Sequence, residues 1–207
     1  MAKNGKNRLA ILTIFRCRRT DVTLSFAVGE LALHPDIFEK AQGIVDQVWQ
    51  KHGSLSLESL KELNYLRAIV KETIRLYSIA SGSTSLQVVK PIVVEGITVP
   101  EGTKLFWSIL GAGRDAETYD QPNEFQPERW LDEHKGSLPL PMVGFGSGYH
   151  RCLGEHLAML EATIMLAQLL RHFNWTLVNG RSSLENLQQN LLIYPPDGMP
   201  VRFQLRS

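Results

Sequence analysis

The chain has 207 residues and a mass of 23.3 kDa, which bounds it to one large domain or two small ones. Its 22 Lys+Arg against 21 Asp+Glu leave a net charge of +1, which argues against nucleic-acid binding, where phosphate contacts need a basic surplus. An apolar fraction of 43% with 21% charged residues excludes wholesale disorder, and two cysteines, Cys17 and Cys152, exclude a disulfide scaffold or a zinc-ribbon spacing.

Residues 1–19 form an unassigned N-terminal segment. Lys3, Lys6 and Arg8 precede the apolar run Leu9 to Phe15, but Arg16, Arg18 and Arg19 stop it and no small-x-small cleavage site follows. An ordinary strand or helix start fits this better than a signal peptide. From Thr20 to Leu33 the pattern is helical, with Val22, Phe26 and Leu33 near one face. After His34-Pro35 a second helix is predicted from Asp36 to about Trp49, carrying Phe38, Ala41, Val45 and Val48, and Lys51-His52-Gly53 ends it. Ser59 and Glu62 make a capping-box pattern for a third helix running through about Leu76.

Strand signals follow. Gln87 to Val94 and Ile97 to Ile109 are rich in β-branched and aromatic residues, interrupted at Glu95-Gly96 and Pro100-Glu101-Gly102. Asp115 to Ser147 carries prolines at 122, 127, 139 and 141 and little periodicity, which points to a functional rather than a scaffolding segment. A helix over Gly154 to His172 is apolar nearly all round and is expected to be buried. Phe173, Trp175 and Leu177, and later Val201, Phe203 and Leu205, alternate as strands. No approximately 20-residue apolar stretch suggests a transmembrane segment. The expected class is mainly α with small β-sheets, α+β.

Chemistry concentrates in Phe145-Gly146-Ser147-Gly148-Tyr149-His150-Arg151-Cys152-Leu153-Gly154. One cysteine lies in a glycine-studded loop directly ahead of an apolar helix. The glycines permit tight turns and close approach of a flat ligand, and the helix N-terminus favours a negatively charged sulfur suited to a soft metal centre. Two other readings stand beside this one. A cysteine near a helix start can be an inert small hydrophobe. Zinc could use His150, Cys152 and His156, although a fourth ligand is missing and the glycines would go unexplained.

The loop resembles the haem-binding signature of the cytochrome P-450 family, F-x-x-G-x-x-x-C-x-G, at Phe145, Gly148, Cys152 and Gly154, and the likeness continues through Leu157-Ala158 and Glu161. Glu72-Thr73-Ile74-Arg75 matches the family's E-x-x-R helix, and Pro127-Glu128-Arg129-Trp130 its P-E-R-F/W element. The resemblance implies a fold of that family, haem b as cofactor, Cys152 as axial iron ligand, and Phe145, Gly146, Gly148, His150 and Gly154 around the haem. It implies that Glu72, Arg75 and Arg129 form a buried structural network. By themselves, Glu72 and Arg75 would read as a surface ion pair of a few tenths of a kcal/mol.

The likeness covers Thr20 to Ser207 and is expected to be the C-terminal, proximal haem-binding portion of a truncated family fold. The distal-helix remnant departs from the usual A/G-G-x-D/E-T-T: Arg18-Arg19 replace the small pair, Asp21 keeps the acid, Val22 takes the first threonine position and Thr23 the second. Asp21 and Thr23 are the candidate proton relay, and Val22 cannot donate a hydrogen bond to it. His150 stands where the family commonly has Arg against a haem propionate. The implied activity is oxygen- and reductase-dependent hydroxylation of a lipophilic small molecule, such as a secondary metabolite, with an NAD(P)H-dependent reductase or other electron donor as partner. The implied location is the cytoplasm or the cytoplasmic face of the endoplasmic reticulum. The alternative is a catalytically incompetent haem-binding or non-enzymatic fragment.

Overall fold

The computed structural model describes residues 18–80, 85–131, 143–185, 187–189, 193–195 and 198–206. Residues 1–17, with Cys17, lie outside the described residues, as do 81–84 and Pro139 and Pro141. Three helices lead the described chain. Helix α1, Arg18–Leu33, buries Phe26, Ala27 and Leu31 against the helices that follow. Pro35, whose fixed φ suits a first helical turn, opens α2, Pro35–His52. Its buried Ile37, Phe38, Ala41, Val45 and Val48 recur at helical spacing, so one stripe faces inward. Lys51 and His52 occupy its last turn, where cations complement the helix dipole.

Between α2 and α3 the structure departs from the capping-box expectation. Ser59–Glu62 is a separate 3₁₀ turn, and α3 begins only at Asn64, running to Tyr77. Ser59 Oγ accepts the Ser56 backbone N–H at 2.8 Å, while Glu62 turns away to Lys51 Nζ and His52 Nε2 at 2.7 and 2.9 Å. The two side chains that would have capped a helix are engaged by the preceding loop and by α2. Helix α3 is buried over most of its surface, and Tyr77 at its end stacks on Phe26 with centroids 4.0 Å apart.

The sheets are all small. Leu86–Gln87 (β1) pairs antiparallel with Lys104–Leu105 (β4), and between them Ile92–Val94 (β2) pairs with Ile97–Val99 (β3) across the Glu95-Gly96 turn. The strand signals over 87–94 and 97–109, broken at Glu95-Gly96 and Pro100-Glu101-Gly102, resolve into four short strands in two sheets. The second run ends early because Ser108 caps a short helix α4, Ile109–Gly113, accepting the Gly111 N–H at 2.9 Å.

Helix α5, Glu155–His172, packs against α1, α2 and α3. It buries Ala162, Thr163, Leu166, Ala167 and Leu170, whereas Leu157 in its first turn and Leu153 just before it are exposed. The expectation of burial all round thus fails at its N-terminal end, because the neighbouring helices cover only the later turns. Phe173–Leu177 (β5) continues directly from α5 and pairs antiparallel with Val201–Leu205 (β8), Trp175 opposite Phe203. Between them lie the one-turn helix α6, Ser182–Glu185, and the pair Gln188–Gln189 (β6) with Ile193–Tyr194 (β7). Among the described residues the architecture is mainly helical with four two-stranded sheets, an α+β arrangement. Among the described residues no helix is long and apolar enough to cross a membrane.

Candidate functional site

Helix α3 supports the site from below. Glu72 and Arg75 are three residues apart on α3, one turn, and both are buried. Arg75 Nε and Nη2 donate to Glu72 Oε2 and Oε1 at 2.8 and 2.7 Å, a bidentate pair. The 3₁₀ turn Pro127–Trp130 brings Arg129 Nε to Glu72 Oε1 at 3.0 Å and the Trp130 indole N–H to Oε2 at 2.8 Å. The Gln126 backbone N–H completes the set at 2.9 Å, so this carboxylate accepts from two guanidiniums, an indole and an amide.

The other guanidinium donors bind backbone carbonyls and, from Arg129 Nη2, the Gln126 side-chain oxygen at 3.3 Å. Arg75 donates to Gly113, Pro122 and Glu124, and Arg129 donates to Asp120 at 3.0 Å and Gln121 at 3.4 Å. The Tyr119 ring lies 5.1 Å from the Arg75 guanidinium carbon and 5.9 Å from that of Arg129. Burial of the Tyr119 phenol raises its pKa, which keeps the ring neutral beside the two cations. A second tie comes from Glu128, which accepts Tyr65 O–H at 2.7 Å and pairs with Lys40 of α2 at 2.9 Å. Burial works against the Glu128 charge, but these two donors outweigh it and hold its pKa below the usual value.

The cysteine loop rests on the same helix. Gly144, in the 3₁₀ turn Val143–Phe145, lies so close to α3 that a Cβ there would sit 2.3 Å from Ile74 Cγ2. Gly144→Ala is expected to cost about 1–3 kcal/mol through overpacking, read from the denaturation midpoint. The cost should shrink in an Ile74→Ala background, where Cγ2 is gone. Equal costs in both backgrounds would exclude this contact as the cause.

Beyond Phe145 the chain turns through Gly146 and Gly148, with φ of +72° and +60°, conformations that side chains resist. The turn returns Cys152 to Phe145, whose carbonyl accepts the Cys152 N–H at 2.8 Å. The Cys152 carbonyl then accepts from Glu155 at the head of α5, and Gly154 presents no side chain towards Sγ. Phe145 packs against the core, while His150, Cys152, Tyr149 and Leu153 are exposed. Arg151 and Glu155 bracket the cysteine as a bidentate pair at 2.6 and 2.8 Å, which lowers the Glu155 pKa and raises that of Arg151.

Asp21 and Thr23 stand on α1. Thr23 is buried, and Asp21 is half-buried with Oδ1 accepting the Val22 N–H at 2.7 Å. Tyr119 and the Gln126 amide went unmarked in the sequence, and Trp130 was marked only as part of the P-E-R-F/W element, not as a donor to Glu72. Trp130 had a signal, since a tryptophan beside an arginine in an irregular segment carries an N–H that needs an acceptor when buried. A backbone amide has none. Among the described residues no cluster of three or more His, Cys, Asp or Glu side chains is arranged to hold a metal ion, so the zinc alternative has no support in geometry.

A buried E-x-x-R network, an irregular segment wound around it and a cysteine ahead of a long helix stand together among the described residues. A family model described as Cytochrome P450 matches residues 19–203, and the chain belongs to the cytochrome P-450 family. It is 36% identical over 161 residues to Cytochrome P450 71A1 of Persea americana, covering 76% of this chain and 32% of that protein. It is 36% identical over 167 residues to tryptamine 5-hydroxylase of Oryza sativa subsp. japonica, covering 78% and 32%. It is 31% identical over 179 residues to 3,9-dihydroxypterocarpan 6A-monooxygenase of Glycine max, covering 84% and 35%. The chain therefore spans about a third of the length of these relatives.

Proposed function

We propose that the chain holds haem b through the Cys152 sulfur and serves an oxygen-dependent hydroxylation of a lipophilic small molecule, with electrons from an NAD(P)H-dependent reductase or another donor. The observation that carries this reading is the exposed Cys152 at the head of α5, in a loop clipped by the Phe145 carbonyl and flanked by bare apolar side chains. Tyr149 and Leu153 are fully exposed and Leu157 is 61% exposed. Such a collar around a soft donor fits a flat, apolar, metal-bearing group, which would cover the side chains and bind the sulfur together. The relatives' names, a 5-hydroxylase and a 6A-monooxygenase, support oxygen insertion as the reaction class.

When bound, a cysteinate-ligated haem activates dioxygen, the thiolate supplying electron density that favours O–O cleavage. The chain's own residues have separate tasks. Phe145, Gly146, Gly148 and Gly154 shape the loop that presents the sulfur. Tyr149, Leu153 and Leu157 would be covered, together with the sulfur, by the bound group. His150 would donate to a carboxylate at the rim of the group. Glu72, Arg75 and Arg129 hold the helix and the segment on which the loop rests. On α1, Asp21 would hold a proton at its carboxyl and Thr23 would pass one through its hydroxyl. Residues 20–207 make up part of one such domain in this reading.

The experiment is the reduced carbon-monoxide spectrum of the chain expressed with haem. A red-shifted Soret band that disappears in Cys152→Ser is the expected result. A band that persists in Cys152→Ser, or apoprotein alone, would overturn the assignment. A second reading, haem binding without turnover, draws on Val22, which sets an apolar side chain between Asp21 and Thr23. The two readings part on oxygen-dependent product formation by the carbon-monoxide-binding protein, which only the first expects.

A further inference from the structure

The corner where α1 meets α2 buries a carboxylate that the site does not use. Glu30, 2% exposed, lies near the end of α1. Its Oε1 accepts the hydroxyl of Tyr77, the last residue of α3. Its Oε2 is also buried and accepts no hydrogen bond from the described residues. His34 Nδ1 stands 3.3 Å from Oε2 and 2.8 Å from the Glu30 backbone oxygen. A carbonyl oxygen can only accept, so the neutral ring carries its proton on Nδ1 and the second proton enters at Nε2. That second proton places a full positive charge beside a buried carboxylate oxygen with no other donor, where low polarisability strengthens the attraction.

We propose that His34 is a protonation-controlled clasp that fastens the α1–α2 corner to α3 through Glu30 and Tyr77. The clasp lies where α1, which carries Asp21 and Thr23, must be aligned with α3, which carries Glu72 and Arg75. Asp36 of α2 and Glu124 and Glu128 of the irregular segment border the same groove as His34, Glu128 being paired with Lys40. Arg181, ahead of α6, opposes the His34 charge, and Arg114 faces the Tyr77 side of the carboxylate. The Phe125 ring packs at 5.5 Å from the imidazole. The Glu30 carboxylate raises the His34 pKa and burial works against it, the net direction being upward. With the folded value raised, the clasp is closed below the unfolded value of about 6.5 and opens as pH rises through the folded one.

The test uses the full chain. The His34 ring proton, followed by NMR and assigned by its loss in His34→Gln, should titrate above about 6.5, and in Glu30→Gln it should fall to that value or below. Because the chain carries five other histidines, stability is read as a difference between the wild type and the His34 variant. The urea midpoint of the wild type should exceed that of His34→Gln at about pH 6, and the gap should close towards about pH 8. If Glu30→Gln does not fold, the wild-type titration and the midpoint gap still decide the matter. A His34 signal titrating at or below about 6.5, or a gap independent of pH, would overturn the proposal.

Discussion

Glu72→Ala is expected to destabilise the chain by about 3–5 kcal/mol, the usual cost of removing one member of a buried charge cluster. The side chains of Glu72 and Arg75 are fully buried and that of Arg129 is 8% exposed, so water cannot take the place of the lost carboxylate. Two guanidiniums would face each other across the gap, with the Trp130 and Gln126 donors orphaned. Total stabilities of domains are about 5–15 kcal/mol, so a loss of this size should be visible as a falling soluble yield as well as a lower urea midpoint. Glu72→Gln keeps the shape but not the charge and should lie close to the alanine variant. If Glu72→Ala cost below about 1 kcal/mol, the cluster would be no stronger than an exposed ion pair, and the account above would fail.

Trp175→Ala should have an effect of similar size, about 3–5 kcal/mol, from a different cause. Trp175 on β5 is 5% exposed and is the joint between the β5–β8 pair and the helices. Its indole N–H donates to the Val28 carbonyl of α1 at 2.9 Å. Its ring meets Phe38 of α2 edge-on with centroids 4.5 Å apart, and Phe203 of β8 at 5.8 Å. Truncation would leave a cavity bounded by three elements that cannot collapse together. Trp175→Phe keeps most of the apolar contact and loses one hydrogen bond, so about 0.5–1.5 kcal/mol is expected for it. Thermal and chemical denaturation of both variants check this. Equal losses in the two would place the stability in the hydrogen bond rather than in the packing.

Legibility in the sequence followed how local each cause is. Helix α2 was readable because its inward stripe, its opening proline and its basic last turn all lie within the helix itself. The β5 and β8 alternation was readable for the same reason. Ser59 and Glu62 misled because the same S-x-x-E pattern served other partners, the Ser56 amide and the α2 cations, and only tertiary packing decides between these uses. In the run from Ile97 to Ile109 the break at Pro100-Glu101-Gly102 was readable, but the end of the strand signal at Ser108 was not. Its division follows from a turn and from the Ser108 cap.

The site divides in the same way. Cys152 stood out by its glycine-rich loop ahead of an apolar helix, and Glu72, Arg75 and Arg129 through the family resemblance, since alone they read as surface charges. The carbonyls of Gly113, Asp120, Gln121, Pro122 and Glu124 did not, because every residue has one and only the fold selects which will serve. The bare surfaces of Leu153 and Leu157 were invisible for the opposite reason, since their pattern is that of a buried helix.

The carbonyl grip of Arg75 and Arg129 has a kinetic consequence. The acceptors on Arg75 lie 38, 47 and 49 residues downstream, so engaging them closes long loops before any reward is gained. Residues 113–126 hold no helix or sheet ladder of their own beyond the end of α4. Their anchorage is the Arg75 and Arg129 guanidiniums, the Arg114 bonds to the Leu76 carbonyl, the Gln126 amide on Glu72 and the buried Tyr119 and Phe125 rings. Such a segment gains little by docking one carbonyl at a time. Its amides should therefore gain and lose hydrogen-exchange protection together, as a single opening unit.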